Sequence, residues 1–377
     1  MSPLPVGKLF DKLRSYYVKD NVVAPMISQQ TALLCALAYT VVYVAPFYLS
    51  PTLRSTPLQS RNAPSVIRAR VRAVALTCLI STVGTSYILV KYGRATAWDV
   101  LRFLGVWPVD PLDIAKVLGL VVILFVGPLY ESILIDGSWR RWSISSLKES
   151  LYDDWTGYRN LVIAPASEEL VFRALTISLY LLAKVDPVRV IFITPLIFGL
   201  AHVHHLVEFL QSHTPQGRTL PPLSIWINGI LRSTFQFAYT SIFGFFAAFV
   251  FLRTGNLWAC IVAHSFCNWQ GLPRLYGRVG RFADTYEAHI TPDVAQGKRD
   301  EDAESSSRQK NGLLSQEKEK SFETATAQVI TDGPRSLGIG WTVMYYVLIC
   351  AGAYGFYLQL WPLTSSRNAL ATFSPAK

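Results

Sequence analysis

Two adjacent carboxylates and an arginine interrupt an apolar stretch of the chain. The stretch reads APASEELVFRAL and places Glu168, Glu169 and Arg173 among alanine, leucine, valine and phenylalanine. A charged side chain deep in a membrane span costs about 2.5–3.5 kcal/mol, so it usually marks a functional site or a paired network. Glu169 and Arg173 share a helix face, whereas Glu168 points about 100° away. One carboxylate can therefore pair with the arginine while its neighbour faces elsewhere. A structural ion network of all three residues remains the alternative.

Histidines follow on the next apolar stretch, FGLAHVHHLVEF. Phe198 and His202 are four residues apart, and His205 lies three residues after His202, so all three fall on nearly one helix face. His204 projects differently, and we expect it to be a hydrogen-bonded core or interfacial residue. Glu208, like Glu131 earlier in the chain, is expected to lie at the membrane interface, and both could line the mouth of a cavity.

A second imidazole and an amide lie on a later apolar stretch, CIVAHSFCNW. His264 and Asn268 are one helical turn apart and face the same way. A lone histidine or asparagine in a span is often only an interhelical hydrogen-bonding group. Three successive polar pairs on three helices are harder to explain in that way.

Together these side chains have the parts needed for hydrolysis. A buried carboxylate can take a proton from water, and an imidazole can hold that water or shuttle the proton. Further donors can stabilise the negative oxygen of a tetrahedral intermediate. Cys267 lies on a different face from His264 and Asn268, which argues against a cysteine nucleophile.

The composition indicates which elements must position these groups. Hydrophobic residues make up 51% of the 377 residues and charged residues only 16%, against about 25% charged in an ordinary soluble domain. The apolar residues form long, nearly uncharged runs that are typical of membrane spans. The net charge of +10 is spread over short loops, which suits a lipid bilayer and argues against a nucleic-acid partner. The five cysteines show neither CxxC nor Cys/His zinc spacing.

The sequence predicts an all-α, multi-pass integral membrane protein of about eight transmembrane helices that enclose a catalytic cavity. Strict alternation of apolar and polar residues, which a barrel would require, is missing. The predicted spans are residues 31–50, 71–90, 112–133, 160–183, 188–210, 224–252, 256–272 and 338–361.

The same pattern divides the chain into five parts. We predict a polar N-terminal leader (1–30), a membrane domain (31–276) with a catalytic core (155–272), a hydrophilic, largely disordered loop (277–337), a last transmembrane helix (338–362) and a C-terminal tail (363–377). The loop prediction depends mainly on residues 293–328, whose mixed charges, serines and glutamines leave too little apolar surface to bury.

In order, the three motifs resemble those of the CAAX prenyl protease and bacteriocin-processing superfamily. These motifs are EExxxR at 168–173, FxxxH at 198–202 and HxxxN at 264–268. APASEELVFRA followed by FGLAHVHH resembles the eukaryotic branch, the Ras-converting CAAX endopeptidases of type II. The resemblance covers about residues 164–269, and beyond it only the number and layout of the spans are similar.

The resemblance implies a protease of the endoplasmic reticulum membrane whose active site faces the cytosol. Such enzymes remove the aaX tripeptide from farnesylated or geranylgeranylated CaaX proteins, including Ras-type small GTPases and a prenylated pheromone precursor. They are held to be glutamate-dependent, with no metal or cofactor. By position, Glu168 is implied as the general base, His202 as the group that helps to activate water, and His264 and Asn268 as the oxyanion site. The implied supporting residues are Glu169, Arg173, Phe198 and His205.

Two other readings of these residues stay open. Glu168, His202 and His264 could be three ligands of a catalytic zinc, as in an intramembrane metalloprotease, although the chain has no HExxH motif. A non-enzymatic transporter or scaffold could instead use the buried glutamates and histidines as a proton relay, although the chain has no evident internal repeat.

Overall fold

The computed structural model of the chain describes residues 9–13, 24–50, 52–53, 61–214, 218, 220–280, 337–371 and 373. Regular structure in these ranges is helical throughout, without a strand, which confirms the predicted all-α class. Most of the leader, nearly all of the loop at 277–337 and the end of the tail lie outside the described residues, so their predictions stay predictions.

Nine helical segments carry the architecture: α1 Gln29–Val44, α2 Pro64–Gly93, α3 Pro111–Leu124, α4 residues 155–182, α5 Pro187–Ala201, α6 His204–His213, α7 Leu223–Thr254, α8 Leu257–Gln270 and α9 Ile339–Leu363. Shorter helices connect them: Pro46–Leu49, Ala97–Phe103, Val126–Tyr130, Ser138–Arg141 and Ile144–Lys148, with π turns at Glu131–Ile135 and Glu149–Asp153. Segment α4 lies at the centre, where α1, α2, α5, α7 and α8 contact it, and α3 packs against α8 and α9.

Five helices of the described chain have the length and apolar composition to cross a membrane. They are Gln29–Leu49, Pro64–Gly93, Pro187–His213, Leu223–Thr254 and Ile339–Leu363. Pro111–Leu124 and Val126–Ile135 meet at 76° and make a sixth if the bent pair is one span. All eight predicted spans contain helix, but two of them, 160–183 and 256–272, are not among these candidates. Two π turns interrupt the first. The second corresponds to α8, which has 14 residues, about 21 Å, and is shorter than the hydrocarbon core of about 30 Å.

Segment α4 differs from the regular helix that the sequence predicts, because two π turns interrupt it. The regular pieces are Trp155–Tyr158, Ala164–Glu169 and Thr176–Leu182, and the π turns are Arg159–Ile163 and Leu170–Leu175. A π turn contains an extra residue and is frequently found at functional sites. Here the two turns flank the short piece that carries both adjacent glutamates.

Glycines let α5 and α7 approach closely. A Cβ on Gly199 would lie 2.5 Å from Oγ of Ser241, and a Cβ on Gly244 would lie 2.6 Å from Cβ of Pro195. Small residues at such contacts allow helix backbones to pack tightly within a membrane. This contact fixes the position of α5, and therefore of Phe198, beside α4.

The joint between α7 and α8 determines where α8 begins. Gly255 ends α7 in the left-handed conformation with φ of +57°, which glycine adopts without a steric penalty. The side chain of Asn256 then caps α8 by accepting a hydrogen bond from the backbone N–H of Ala259 at 3.2 Å. The short joint brings α8 back along α7 with its polar face toward α4.

Candidate active site

The two adjacent glutamates face different surroundings. Glu169 is fully buried, and its carboxylate accepts a hydrogen bond from Nδ1 of His264 at 2.7 Å and pairs with Nε of Arg173 at 3.2 Å. The Glu168 side chain is 16% exposed and lines a cavity. The spacing therefore correctly predicts the Glu169–Arg173 pair and the divergence of the neighbouring carboxylate.

Aromatic rings surround the charged end of Arg173. Its guanidinium carbon lies 4.3 Å from the ring centre of Phe198 and 5.7 Å from that of Phe243. The terminal nitrogens are buried and make no hydrogen bond to the described residues. Cation–π contacts and the single carboxylate of Glu169 hold this guanidinium in a dry setting. We call Glu169, Arg173 and His264 the inner cluster.

His264 links the two carboxylates. Because a carboxylate can only accept, Nδ1 of the ring carries the hydrogen that Glu169 receives. The other ring nitrogen, Nε2, lies 3.9 Å from Oε2 of Glu168, a gap that a bridging water can fill. One turn later, Nδ2 of Asn268 donates to the backbone carbonyl of Asn160 at 2.9 Å. An amide nitrogen has two hydrogens, so Asn268 retains a donor for a ligand.

A cavity of about 380 Å³ brings some of the predicted residues together. Glu168, Asn268 and His205 line it, as does His204, for which the sequence predicts only a core or interfacial role. His264 reaches its edge through the contact with Glu168. The further lining residues include Tyr43, Arg61, Arg70, Arg159, Gln236 and Tyr239, which the sequence analysis did not select.

His202 lies in the short turn between α5 and α6, and it keeps the neighbours Phe198 and His205 that the spacing predicts. Helix α5 ends at Ala201 and α6 begins at His204, so His202 lies in the turn between the helices and His205 lies in α6. The His202 ring packs edge-on against Phe198 with ring centres 4.6 Å apart, and its Nδ1 lies 2.9 Å from the Phe198 carbonyl oxygen. His202 does not line the cavity among the described residues, and its ring centre is 6.0 Å from that of His205.

A second group of charges lies at the cavity wall, and we call it the outer cluster. Four of its members line the cavity, Arg61, Arg70, Arg159 and His205, and the fifth, Glu208, pairs with three of them. Glu208 is buried and accepts a hydrogen bond from Arg70 at 2.6 Å and one from Nδ1 of His205 at 3.1 Å. Arg61 is 3.6 Å from the same carboxylate. Glu208 is therefore an internal ion-pair partner. Glu131 pairs elsewhere, with Arg274 at 2.8 Å.

These contacts bear on the zinc alternative. In the described ranges, the residues whose donor atoms converge within 4.8 Å are His204, His205 and Glu208, not the set of Glu168, His202 and His264. Two guanidinium groups already bind Glu208, and their positive charge disfavours a cation at that carboxylate.

An apolar groove of about 940 Å³ lies beside α8. Its walls include Leu118, Leu147, Leu161, Phe266 and Trp269. Trp269 lines this groove and the preceding residue, Asn268, lines the cavity. The end of α8 therefore separates a polar compartment from an apolar one.

Comparison with known proteins identifies similar chains. Residues 150–270 match the profile of a family described as type II CAAX prenyl endopeptidase Rce1-like. A Schizosaccharomyces pombe protein named probable CAAX prenyl protease 2 is 34% identical over 247 residues, which cover 66% of this chain and 83% of that protein. CAAX prenyl protease 2 of Arabidopsis thaliana is 30% identical over 66% of this chain and 82% of its own length. The human protein of the same name is 32% identical over 56% and 64%. No solved structure matches the chain significantly.

Proposed function

Because the chain belongs to the family of type II CAAX prenyl endopeptidases, and is therefore a membrane protease, we propose that it removes the aaX tripeptide from isoprenylated CaaX proteins with a water molecule that Glu168 activates. The substrates are farnesylated or geranylgeranylated proteins, including Ras-type small GTPases and a prenylated pheromone precursor. The enzyme works in the endoplasmic reticulum membrane with its cavity open to the cytosol.

The main support for this proposal is that the two adjacent glutamates have different contacts. Glu169 is already committed to Arg173 and His264, so it fixes the neighbouring groups and is a poor candidate for the base. Glu168 faces the cavity, and among the described residues its nearest charged or ring-nitrogen partner is Nε2 of His264 at 3.9 Å. A water bound between these two groups would give its proton to Glu168 and attack the carbonyl carbon of the prenylated cysteine. Glu168 would then return the proton to the departing amine.

His264 and Asn268 are the proposed donors to the oxyanion. With its Nδ1 hydrogen directed at Glu169, the ring donates from Nε2 only when it is doubly protonated. A positive ring would stabilise a developing oxyanion strongly in a dry site. The free amide hydrogen of Asn268 is the second donor.

The two histidines that follow α5 have supporting roles in this scheme. His205 lines the cavity, and its Nδ1 is directed at Glu208, which leaves Nε2 available to order water or the peptide. His202 holds Phe198, and Phe198 in turn lies against the guanidinium of Arg173. The alternative role for His202, direct activation of the water, requires its ring to turn toward the cavity.

The apolar groove beside α8 is the proposed site of the isoprenyl chain. The chain is attached to the cysteine that precedes the scissile bond, so its binding site must adjoin the catalytic cavity. The consecutive residues Asn268 and Trp269 meet that requirement, because each lines one of the two compartments. An apolar lining would favour the prenyl group by burying its surface.

The test is cleavage of a farnesylated CaaX peptide by the purified full-length chain in detergent, with a strong chelator present. We expect the wild type to release the tripeptide and Glu168→Gln to lose that activity. Glu131→Gln is the matched control, because its carboxylate pairs with Arg274 outside the cavity. Activity that chelator abolishes and zinc restores would reassign the same residues as metal ligands. If neither protein cleaves the peptide, the proposed substrate and mechanism are wrong, and transport, structure or a different substrate is favoured.

A further inference from the structure

The catalytic cavity carries more positive charge than the proposed chemistry uses. Three guanidinium groups line it, those of Arg61, Arg70 and Arg159. Glu208 pairs with the first two, and within the described residues no carboxylate lies within 4.0 Å of the third. Because an uncompensated charge in a partly buried wall is costly, a surplus cation there indicates an anionic ligand.

Neutral acceptors orient the third guanidinium. Nε of Arg159 donates to Oδ1 of Asn160 at 2.9 Å, and its Nη1 donates to Oδ1 of Asn62 at 3.1 Å and to the Arg61 carbonyl at 3.2 Å. Its Nη2 makes no hydrogen bond to any described residue. These hydrogen bonds fix the orientation of the Arg159 guanidinium. Its Nη2 still has N–H donors available for a planar anion such as a carboxylate.

The positive charges around Arg159 favour the binding of an anion at this guanidinium. Burial lowers the pKa of Arg159 to about 10; the neighbouring Arg61 and Arg70 contribute in the same direction, and Asp154 and Glu208 partly oppose them. Arg159 nevertheless remains charged at neutral pH. A bound carboxylate would relieve the repulsion among the three cations.

The spacing along α4 fits a peptide of defined length. Arg159 precedes Glu168 by nine residues in the same helical segment, which is at most about 13 Å along the helix axis, because the π turn at Arg159–Ile163 shortens the rise between them. Three residues of extended peptide span about 10 Å. The side chains of Arg159 and Glu168 line one cavity, so one extended tripeptide can reach from the catalytic glutamate to the arginine.

We propose that Arg159, supported by Arg61 and Arg70, binds the C-terminal carboxylate of the CaaX substrate and thereby determines that three residues are released. The inference rests on the proposed function. It assigns the outer cluster a role in specificity that is separate from the chemistry at Glu168. A lipid phosphate could offer a similar anion, but the shared cavity with Glu168 and Asn268 favours the end of the substrate.

The experiment compares two farnesylated CaaX peptides that differ only at the C-terminus, one a free acid and the other a carboxamide. We expect the wild type to favour the acid by about 10- to 100-fold in kcat/KM, mainly through KM, as for a charged hydrogen-bonded pair. Arg159→Gln should lose the preference by slowing cleavage of the acid alone. Arg159→Lys, which keeps the charge, should restore part of it.

Arg189→Gln is the matched control, because Arg189 is exposed on α5 and does not line the cavity. It should keep the wild-type preference for the acid. Equal cleavage of both peptides by the wild type would overturn the carboxylate anchor and leave the proposed function intact; a lipid would then be the favoured anion. An equal loss for both peptides in Arg159→Gln would also overturn it, since it would indicate a structural role. Cleavage of neither peptide by the wild type would overturn the proposed function and the anchor together.

Discussion

The inner and outer clusters are built from the same three residue types, yet they differ in how their charges are matched. In the inner cluster, one fully buried carboxylate receives one guanidinium and one imidazole, and aromatic rings exclude water. In the outer cluster, one carboxylate pairs with two of the three guanidinium groups, and the Arg61 side chain is 46% exposed. Matched charges in a dry setting hold neighbouring groups in place, whereas unmatched charges near water are available to a ligand.

The largest effect should separate the two clusters by stability. Arg173→Met leaves the buried Glu169 without its guanidinium, and we expect a loss of about 3–5 kcal/mol in the free energy of unfolding. Arg159→Met should change it by only about 1 kcal/mol, because relief of repulsion from Arg61 and Arg70 offsets the lost hydrogen bonds. Chemical denaturation in detergent, followed by tryptophan fluorescence, measures both. Similar losses for the two variants would mean that the clusters do not differ as described.

A smaller effect should follow from crowding the inner cluster. Gly244→Ala places a methyl group 2.6 Å from Cβ of Pro195 and 3.3 Å from Nη2 of Arg173, so α5 and α7 must move apart. We expect a loss of about 1–3 kcal/mol in unfolding free energy together with reduced activity. The control is Gly119→Ala on α3, where the added methyl meets nothing within 4 Å. It should be neutral or stabilising by up to about 1 kcal/mol. A neutral Gly244→Ala would contradict the close approach.

The smallest expected effect is a response to salt. Raising the salt concentration from about 0.05 M to 0.5 M shortens the screening length several-fold and weakens the partly exposed outer cluster. We expect KM for the free-acid peptide to rise a few-fold, with little change for the carboxamide peptide or in the unfolding temperature. Steady-state kinetics at both concentrations test this, with Arg159→Gln as the salt-insensitive reference. An equal rise for both peptides would point to micelle effects and not to the outer cluster.

The two clusters also differ in how well the sequence predicts them. Glu169 and Arg173, and likewise His264 and Asn268, lie four residues apart on one helix, and that spacing makes them neighbours before any tertiary structure is known. The eight apolar runs predict the helices for an equally local reason. The pair of Arg70 and Glu208 joins residues far apart in the chain. Their contact depends on how α2 packs against α6, and no local pattern encodes it.

The end of α5 shows another limit of periodicity. Phe198, His202 and His205 fit one continuous helix by spacing, but the helix breaks after Ala201 and a new one begins at His204. Neither glycine nor proline lies at the break, so the sequence contains no helix-breaking residue there. The break lies beside the cavity, which His204 and His205 line.

The two π turns in α4 make the angular phase of the helix depend on the number of residues in it. Each turn adds one residue, and one residue corresponds to about 100° of rotation on a regular helix. Point substitutions leave that count unchanged. Deleting one residue within Leu170–Leu175 would rotate the residues that follow it about the helix axis relative to Glu168 and Glu169. The orientation of the two carboxylates relative to the rest of α4 therefore depends on the number of residues in the segment as well as on their types.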